Sequence, residues 1–130
     1  MQVNGITNNP QPKQSFGMSL SMHDGAVAAL RKRVKDADFE KFNNILNNLK
    51  ERKEVGVTLY TTSPNSTRLM ANLYPTNISL DIQTRYPKEG LFHQFRNPIK
   101  YLASLVDKAN AMEREVAKAK ARNDVFDKLG

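Results

Sequence analysis

The sequence predicts an α+β domain, a small and mostly antiparallel sheet of three to four strands with helices packed on one face, in the order strand, helix, three strands, helix. Residues 54–86 contain three short runs of alternating character separated by polar turns. Residues 26–53 and 98–122 repeat apolar side chains every three or four positions, the period of an amphipathic helix. A further alternating run at 16–22 precedes the first helix and supplies the extra strand.

Residues 1–15 are rich in Asn, Gln and Pro and nearly lack large apolar side chains. Such a stretch cannot bury enough surface to offset its ordering entropy, so a flexible polar leader is expected over 1–15 and one domain over 16–130. Pro10 and Pro12 fit simple disorder better than a polyproline ligand. In 16–22, Phe16, Met18, Leu20 and Met22 alternate with Gly17, Ser19 and Ser21, and the Met-rich face is read as core filler rather than a contact surface.

Val27, Leu30 and Val34 form the stripe of the first helix, with Arg31, Lys32, Arg33 and Lys35 on its remaining surface. Asp36 or Asp38 caps a continuation in which Phe39, Phe42, Ile45, Leu46 and Leu49 are the apolar side, as one bent helix or two. Asn43, Asn44, Asn47 and Asn48 fall mainly off that stripe and are read as solvated. In the strands, Val55, Val57 and Leu59 share one side, and Leu69, Ala71 and Leu73 lie opposite Met70, Asn72 and Tyr74. Ser63-Pro64-Asn65-Ser66 and Pro75-Thr76-Asn77 are turn sequences between them. Ile78, Leu80, Ile82, Thr84 and Tyr86 then alternate with polar residues and predict a third strand. Asn97 followed by Pro98 is a helix start, with Asn as the cap and Pro in the first turn. The helix it opens carries Ile99, Leu102, Val106, Ala109, Met112, Val116 and Ala119, about six turns that overhang a small sheet. Val125, Phe126 and Leu129 follow as a last apolar contact, within the chain or with another one.

A chain of 130 residues with 39% hydrophobic and 25% charged residues matches one ordinary core, and no apolar run approaches the ~20 residues of a membrane span. Zero cysteines exclude disulfides and thiolate chemistry, and the start lacks a basic segment followed by an apolar one. A cytoplasmic location without membrane attachment is expected. The sequons at Asn65 and Asn77 are then turn chemistry.

No glycine-rich phosphate loop, nucleophile elbow, zinc-binding H-E-x-x-H or clustered carboxylate pair is present, so neither catalysis nor a metal or cofactor is expected. His23 beside Asp24 reads as turn and capping chemistry, and His93 among Leu91, Phe92 and Phe95 as a loop anchor.

The net charge of +7 and pI near 9.8 favour acidic partners, nucleic acid foremost. The excess is spread over both helical regions and the strands rather than held by one segment. Candidate phosphate contacts are Arg31, Lys32, Arg33 and Lys35 on the first helix and Lys118, Lys120 and Arg122 on the last, able to act together if the helices pack side by side. The plain alternative for each run is a solvated face, because acidic residues interleave both. Tyr60 and Tyr74 are candidates for base stacking, or simply cover the open face of the sheet.

Ala29-Leu30-Arg31 in the first helix and Leu105-Val106-Asp107-Lys108 in the last, set in this element order, resemble the ribosome hibernation-promoting factors. That resemblance implies two parallel helices on a four-stranded sheet, and binding in the small ribosomal subunit through the basic residues of the two helices. The chain departs from the family in the longer segment after Val34, in Ala103 at a usually acidic position, in the insertion at 92–98 and in the polar leader. Association with RNA or the ribosome is the first expectation. An assembly role, pairing with itself or another protein through the sheet edge and the Phe126/Leu129 end, is the second.

Overall fold

The computed structural model describes residues 13–15, 19–92 and 96–130. In chain order the elements are β1 (Lys13–Ser15), β2 (Leu20–His23), α1 (Asp24–Arg33), a 3-10 turn (Asp36–Asp38), α2 (Phe39–Lys50), β3 (Val55–Thr61), β4 (Leu69–Pro75) and α3 (Pro98–Leu129). Strands β2, β3 and β4 make the body of a mixed sheet, and the three-residue β1 extends one edge, giving the order β1-β2-β3-β4. β2 and β3 run parallel, because two helices intervene between them; β1/β2 and β3/β4 are antiparallel. The expectation of a mostly antiparallel sheet therefore needs correcting at its centre. Residues 13–15, expected in the leader, pair with β2, while 1–12 and the 16–18 part of the expected first strand lie outside the described residues.

One face of the sheet is the core. Leu20 and Met22 of β2, Val55, Val57 and Leu59 of β3, and Leu69, Ala71 and Leu73 of β4 are all buried on it, as their alternation predicts. They meet Ala26, Ala29 and Leu30 of α1, Leu49 of α2, and Leu102, Leu105, Ala109 and Met112 of α3 in a single cluster. Leu30 of α1 and Leu102, Ala109, Met112 and Val116 of α3 are buried as expected, and the stripes differ only at single positions. Leu105 rather than Val106 is buried in α3, and Ala26 and Ala29 lie deeper than Val27 and Val34 in α1. Small side chains let α1 approach the sheet closely, which pushes the larger ones to its flank.

α1 ends where Val34 and Lys35 turn extended, so the apolar stretch makes two helices rather than one bent one. Asp38 holds the N-cap position of α2, but its carboxylate makes no capping bond and instead accepts from Asn97 Nδ2 at 2.8 Å. Only Leu49 of the α2 stripe is fully buried; Phe39 is 58% exposed beside a groove that Val27, Val34 and Phe42 also line. The other end of α2 is fastened to α3 by buried Arg52, which bonds Asn48, Asn110 and Glu113.

The expected third strand does not form as a regular element. Ile78 stands in a turn and is 94% exposed. Only the later part of the segment runs along β4, through the exchange of bonds between Leu73 and Arg85, Ala71 N–H to the Pro87 carbonyl, and Glu89 N–H to the Leu69 carbonyl. Pro87 has no N–H to give to a ladder, which is one reason the pairing stays irregular. Leu80 is buried and Ile82 packs against the core as expected, but from Arg85 on the parity is the reverse of the expectation. Arg85, Pro87 and Glu89 face the helices, Arg85 bonding Glu115 of α3 through both guanidinium nitrogens, so Thr84, Tyr86 and Lys88 fall on the opposite side.

α3 begins as its sequence predicts, Asn97 accepting from Ile99 N–H with Pro98 in the first turn. It runs 32 residues, about 48 Å, longer than expected. Val116 is its last buried residue, and everything from 120 onward is exposed. Among the described residues no helix is long and apolar enough to cross a membrane.

Candidate nucleic-acid interface

Position 33 is three and four residues beyond Leu30 and Ala29, so the geometry of α1 points it at the core rather than at water. A guanidinium there needs partners, and Arg33 finds them in Glu89, which it grips through both nitrogens, and in the carbonyls of Thr67 and Arg96. The pair is largely buried, with 10% and 5% of the two side chains exposed, and Glu89 also accepts from Leu69 N–H at 2.9 Å. Arg33, expected to reach phosphate, is thus structural. It ties α1 to the edge of β4 and to the residues leading into α3.

Around this internal pair the surface is cationic. Arg31, Lys32 and Lys35 are exposed at the end of α1. Lys88, Arg96 and Lys100 are exposed around a cleft of about 180 Å³ whose remaining lining is Glu89, Gly90, Asn97 and Tyr101. Since Glu89 is neutralised by Arg33, the acidic residues expected nearby are Asp36 and Asp38 of the 3-10 turn, and Asp38 is turned onto Asn97. Tyr101 closes the floor, its hydroxyl donating to the Pro87 carbonyl at 2.8 Å, and burial pushes its ionisation far above the ordinary phenol value, with Glu89 and Tyr60 adding to the shift.

The second predicted group does not join the first. Lys118, Lys120 and Arg122 lie twenty or more residues along α3 from its start, a distance of about 30 Å. Lys120 pairs with Glu54 at 2.7 Å, Arg122 stacks its guanidinium 5.6 Å from the Phe126 ring centre, and Lys118 and Arg122 share a concave surface with Ser79 and Asp81. Opposite ends of the molecule therefore hold the two basic runs.

The sheet's second face is built from the alternate residues of the same strands. None of the described helices packs there; the buried cluster includes none of these side chains. Ser21 bonds Thr58 across β2 and β3 at 3.1 Å, the Tyr60 hydroxyl donates to Asn72 Oδ1 at 2.8 Å, and the His23 and Tyr60 rings sit 5.8 Å apart at 39°. Tyr74 lies across β3 at Gly56: a Cβ on that glycine would come within 2.4 Å of the tyrosine's Cε2 and Cζ. Tyr86 and Lys88 complete the face from the far edge, with Tyr86 61% exposed. Burial raises the Tyr60 phenol above its usual value, and nearby Tyr86 adds to this.

No family model, curated protein or solved structure matches this chain. The likeness to the hibernation-promoting factors rests on the short segments quoted above, of which Ala29, Leu30 and Leu105 are core positions where packing alone selects the residue. Among the described residues no group of three or more His, Asp or Glu side chains is placed to hold a metal ion. His93 lies outside the described residues, and His23 faces the sheet surface beside Tyr60. Sequence reading overlooked Lys88, Arg96 and Lys100 because they are single cations separated by loop residues. The available signal was their bracketing of the Asn97-Pro98 helix start, where backbone N–H groups already favour an anion.

Proposed function

We propose that the protein is a non-catalytic RNA-binding module. The observation that carries this reading is the gathering of Arg31, Lys32, Lys35, Lys88, Arg96 and Lys100 around a buried ion pair, six exposed cations against the one exposed acid among the described residues there, Asp36, beside Arg31. Cations held at one end of a rigid domain replace counterions on a phosphate backbone without a large ordering cost. The resemblance to ribosome hibernation-promoting factors adds the ribosome as the particle on which such RNA would be met. On this reading α1 and the head of α3 make the contact, while Lys118, Lys120 and Arg122 stand apart from it.

Fluorescence anisotropy with a labelled RNA at several salt concentrations tests the reading. With about five phosphates neutralised, log K against log salt falls with a slope of about −3 to −4. Replacing Arg31, Lys32 and Lys35 together by Glu lowers affinity at least tenfold, whereas the same reversal at Lys118, Lys120 and Arg122 changes it less than threefold. Salt-insensitive binding, or equal effects of the two triple variants, overturns the assignment.

A second reading is favoured by a separate feature. Val125 and Phe126 are each 58% exposed and Leu129 76%, on the end of α3 that buries no residue, with Phe126 beside the concave surface it shares with Ser79 and Asp81. An apolar patch on an overhanging helix suits assembly with another chain.

A further inference from the structure

We propose that the β3/β4 side of the sheet face on which no described helix packs is a docking surface for single-stranded RNA, its bases stacking on Tyr60, Tyr86 and Tyr74 and its backbone leaving over Lys88 into the Lys88/Arg96/Lys100 cleft. This rests on the RNA-binding reading and deepens it: the cationic end supplies attraction for any phosphate backbone, and the sheet selects unpaired strands.

Stacking needs a ring that lies flat, is held in place, and has one side open. Tyr74 meets the first two conditions because Gly56 has no side chain, so the ring rests on the β3 backbone. It is half-buried, so part of the ring still meets solvent. Tyr60 is anchored by its hydroxyl bond to Asn72 and by the His23 ring, so it too is oriented before any ligand arrives.

The register sets the spacing. Tyr60 stands opposite Met70 in the β3/β4 pairing, and Tyr86, next to the Leu73/Arg85 bridge, stands opposite Asn72. Along β4 the three rings therefore fall level with positions 70, 72 and 74, in steps of about 6.8 Å. That is twice the ~3.4 Å between stacked bases of a helical strand, so the face accommodates bases splayed one to a ring and not a duplex. Asn72, level with Tyr86 and bonded to Tyr60, keeps an amide N–H₂ of the kind that meets base edges and 2′-hydroxyls, whereas Ser21 and Thr58 are buried and bonded to each other.

Charge points the same way. No acidic side chain occupies the alternate positions of this face on β2, β3, β4 or 84–88, and its cation, Lys88, also lines the cleft beside Arg96 and Lys100. The surface thus runs from neutral and aromatic to cationic, as a base-stacked strand with an exposed backbone requires.

The chain has four tyrosines and no tryptophan, and three of those tyrosines lie on this face, so tyrosine emission reports on it directly. A ten-nucleotide oligouridine and an RNA duplex of equal length are titrated into the full chain. The single strand is expected to quench tyrosine emission and the duplex to leave it unchanged. Y74A weakens single-strand binding about tenfold with no change in salt slope, and Y74F retains it. G56A, which lifts the Tyr74 ring while leaving the core face intact, reproduces the Y74A loss at an unchanged melting temperature. Wild-type affinity in Y74A and G56A, with loss in the Arg31/Lys32/Lys35 reversal, overturns the docking surface and leaves the RNA-binding reading standing. No binding of either RNA at low salt overturns both. A dimer broken by Y74A assigns the face to a second copy and overturns the proposal.

Discussion

Tyr101 and Arg33 illustrate how a single side chain departs from its sequence appearance. Tyr101 looks like an ordinary helix-surface aromatic, yet its hydroxyl is turned in to the Pro87 carbonyl and its neutral form is strongly favoured by burial. A group whose folded pKa is raised contributes stability that is complete below its unfolded value, 10.0 for tyrosine, and that is lost as pH rises beyond it while the unfolded chain ionises. Urea midpoints should therefore fall between pH 10 and 11 in the wild type by more than in Y101F, the difference approaching about 1.4 kcal/mol per pH unit. At pH 8 the same variant loses about 1 kcal/mol for the missing hydrogen bond. Identical pH profiles in the two proteins would remove Tyr101 from this role. Glu115 shifts the opposite way, its carboxyl held below the ordinary range by the hydrogen bonds from Arg85, so its contribution fades as pH falls below that range. Both partners are over 40% exposed, which keeps that effect small.

The helices and strands differ in how much of their length the fold uses. α3 is seated on the sheet through Leu102, Leu105, Ala109, Met112 and Val116, spaced four or three apart, and then projects without a buried residue. A chain ending at Lys120 should melt within about 2 °C of the full chain, since surface residues away from named contacts change stability little. Its far-UV helix signal should fall in proportion to the residues removed. If the exposed Val125, Phe126 and Leu129 hold a second copy, sedimentation shows a concentration-dependent dimer for the full chain and a monomer for the shortened one. A monomer in both removes the assembly reading. The segment at 84–89 teaches the converse. The alternation over 78–86 was legible and holds at Leu80 and Ile82, but the parity of 84–89 was not, because Arg85 and Glu89 turn toward the helices only where Glu115 and Arg33 wait to receive them.

For the molecule as a whole, the Arg33/Glu89 pair is the junction of α1, the β4 edge and the approach to α3. Removing one charge leaves the other buried and unpaired, so E89Q should cost about 3–5 kcal/mol. Denaturant melts followed by far-UV dichroism and by tyrosine fluorescence should both shift by that amount and stay coincident, because the junction joins elements of one cooperative core. A loss under 1 kcal/mol would show the pair to be dispensable. The same junction explains the placement of charge on the surface: by consuming Arg33 and Glu89 internally it leaves Arg31, Lys32, Lys35, Lys88, Arg96 and Lys100 on one end. Local periodicity was enough to place β3, β4, the three helical regions and the Asn97 cap, since which side of a strand or helix is apolar is decided by residues two to four apart. Which cation is buried, where the 84–89 segment points and how the tyrosines line up across the open face all depend on partners 12 to 56 positions away in the chain. Those pairings exist only once the sheet has set its register, so they belong to the tertiary structure.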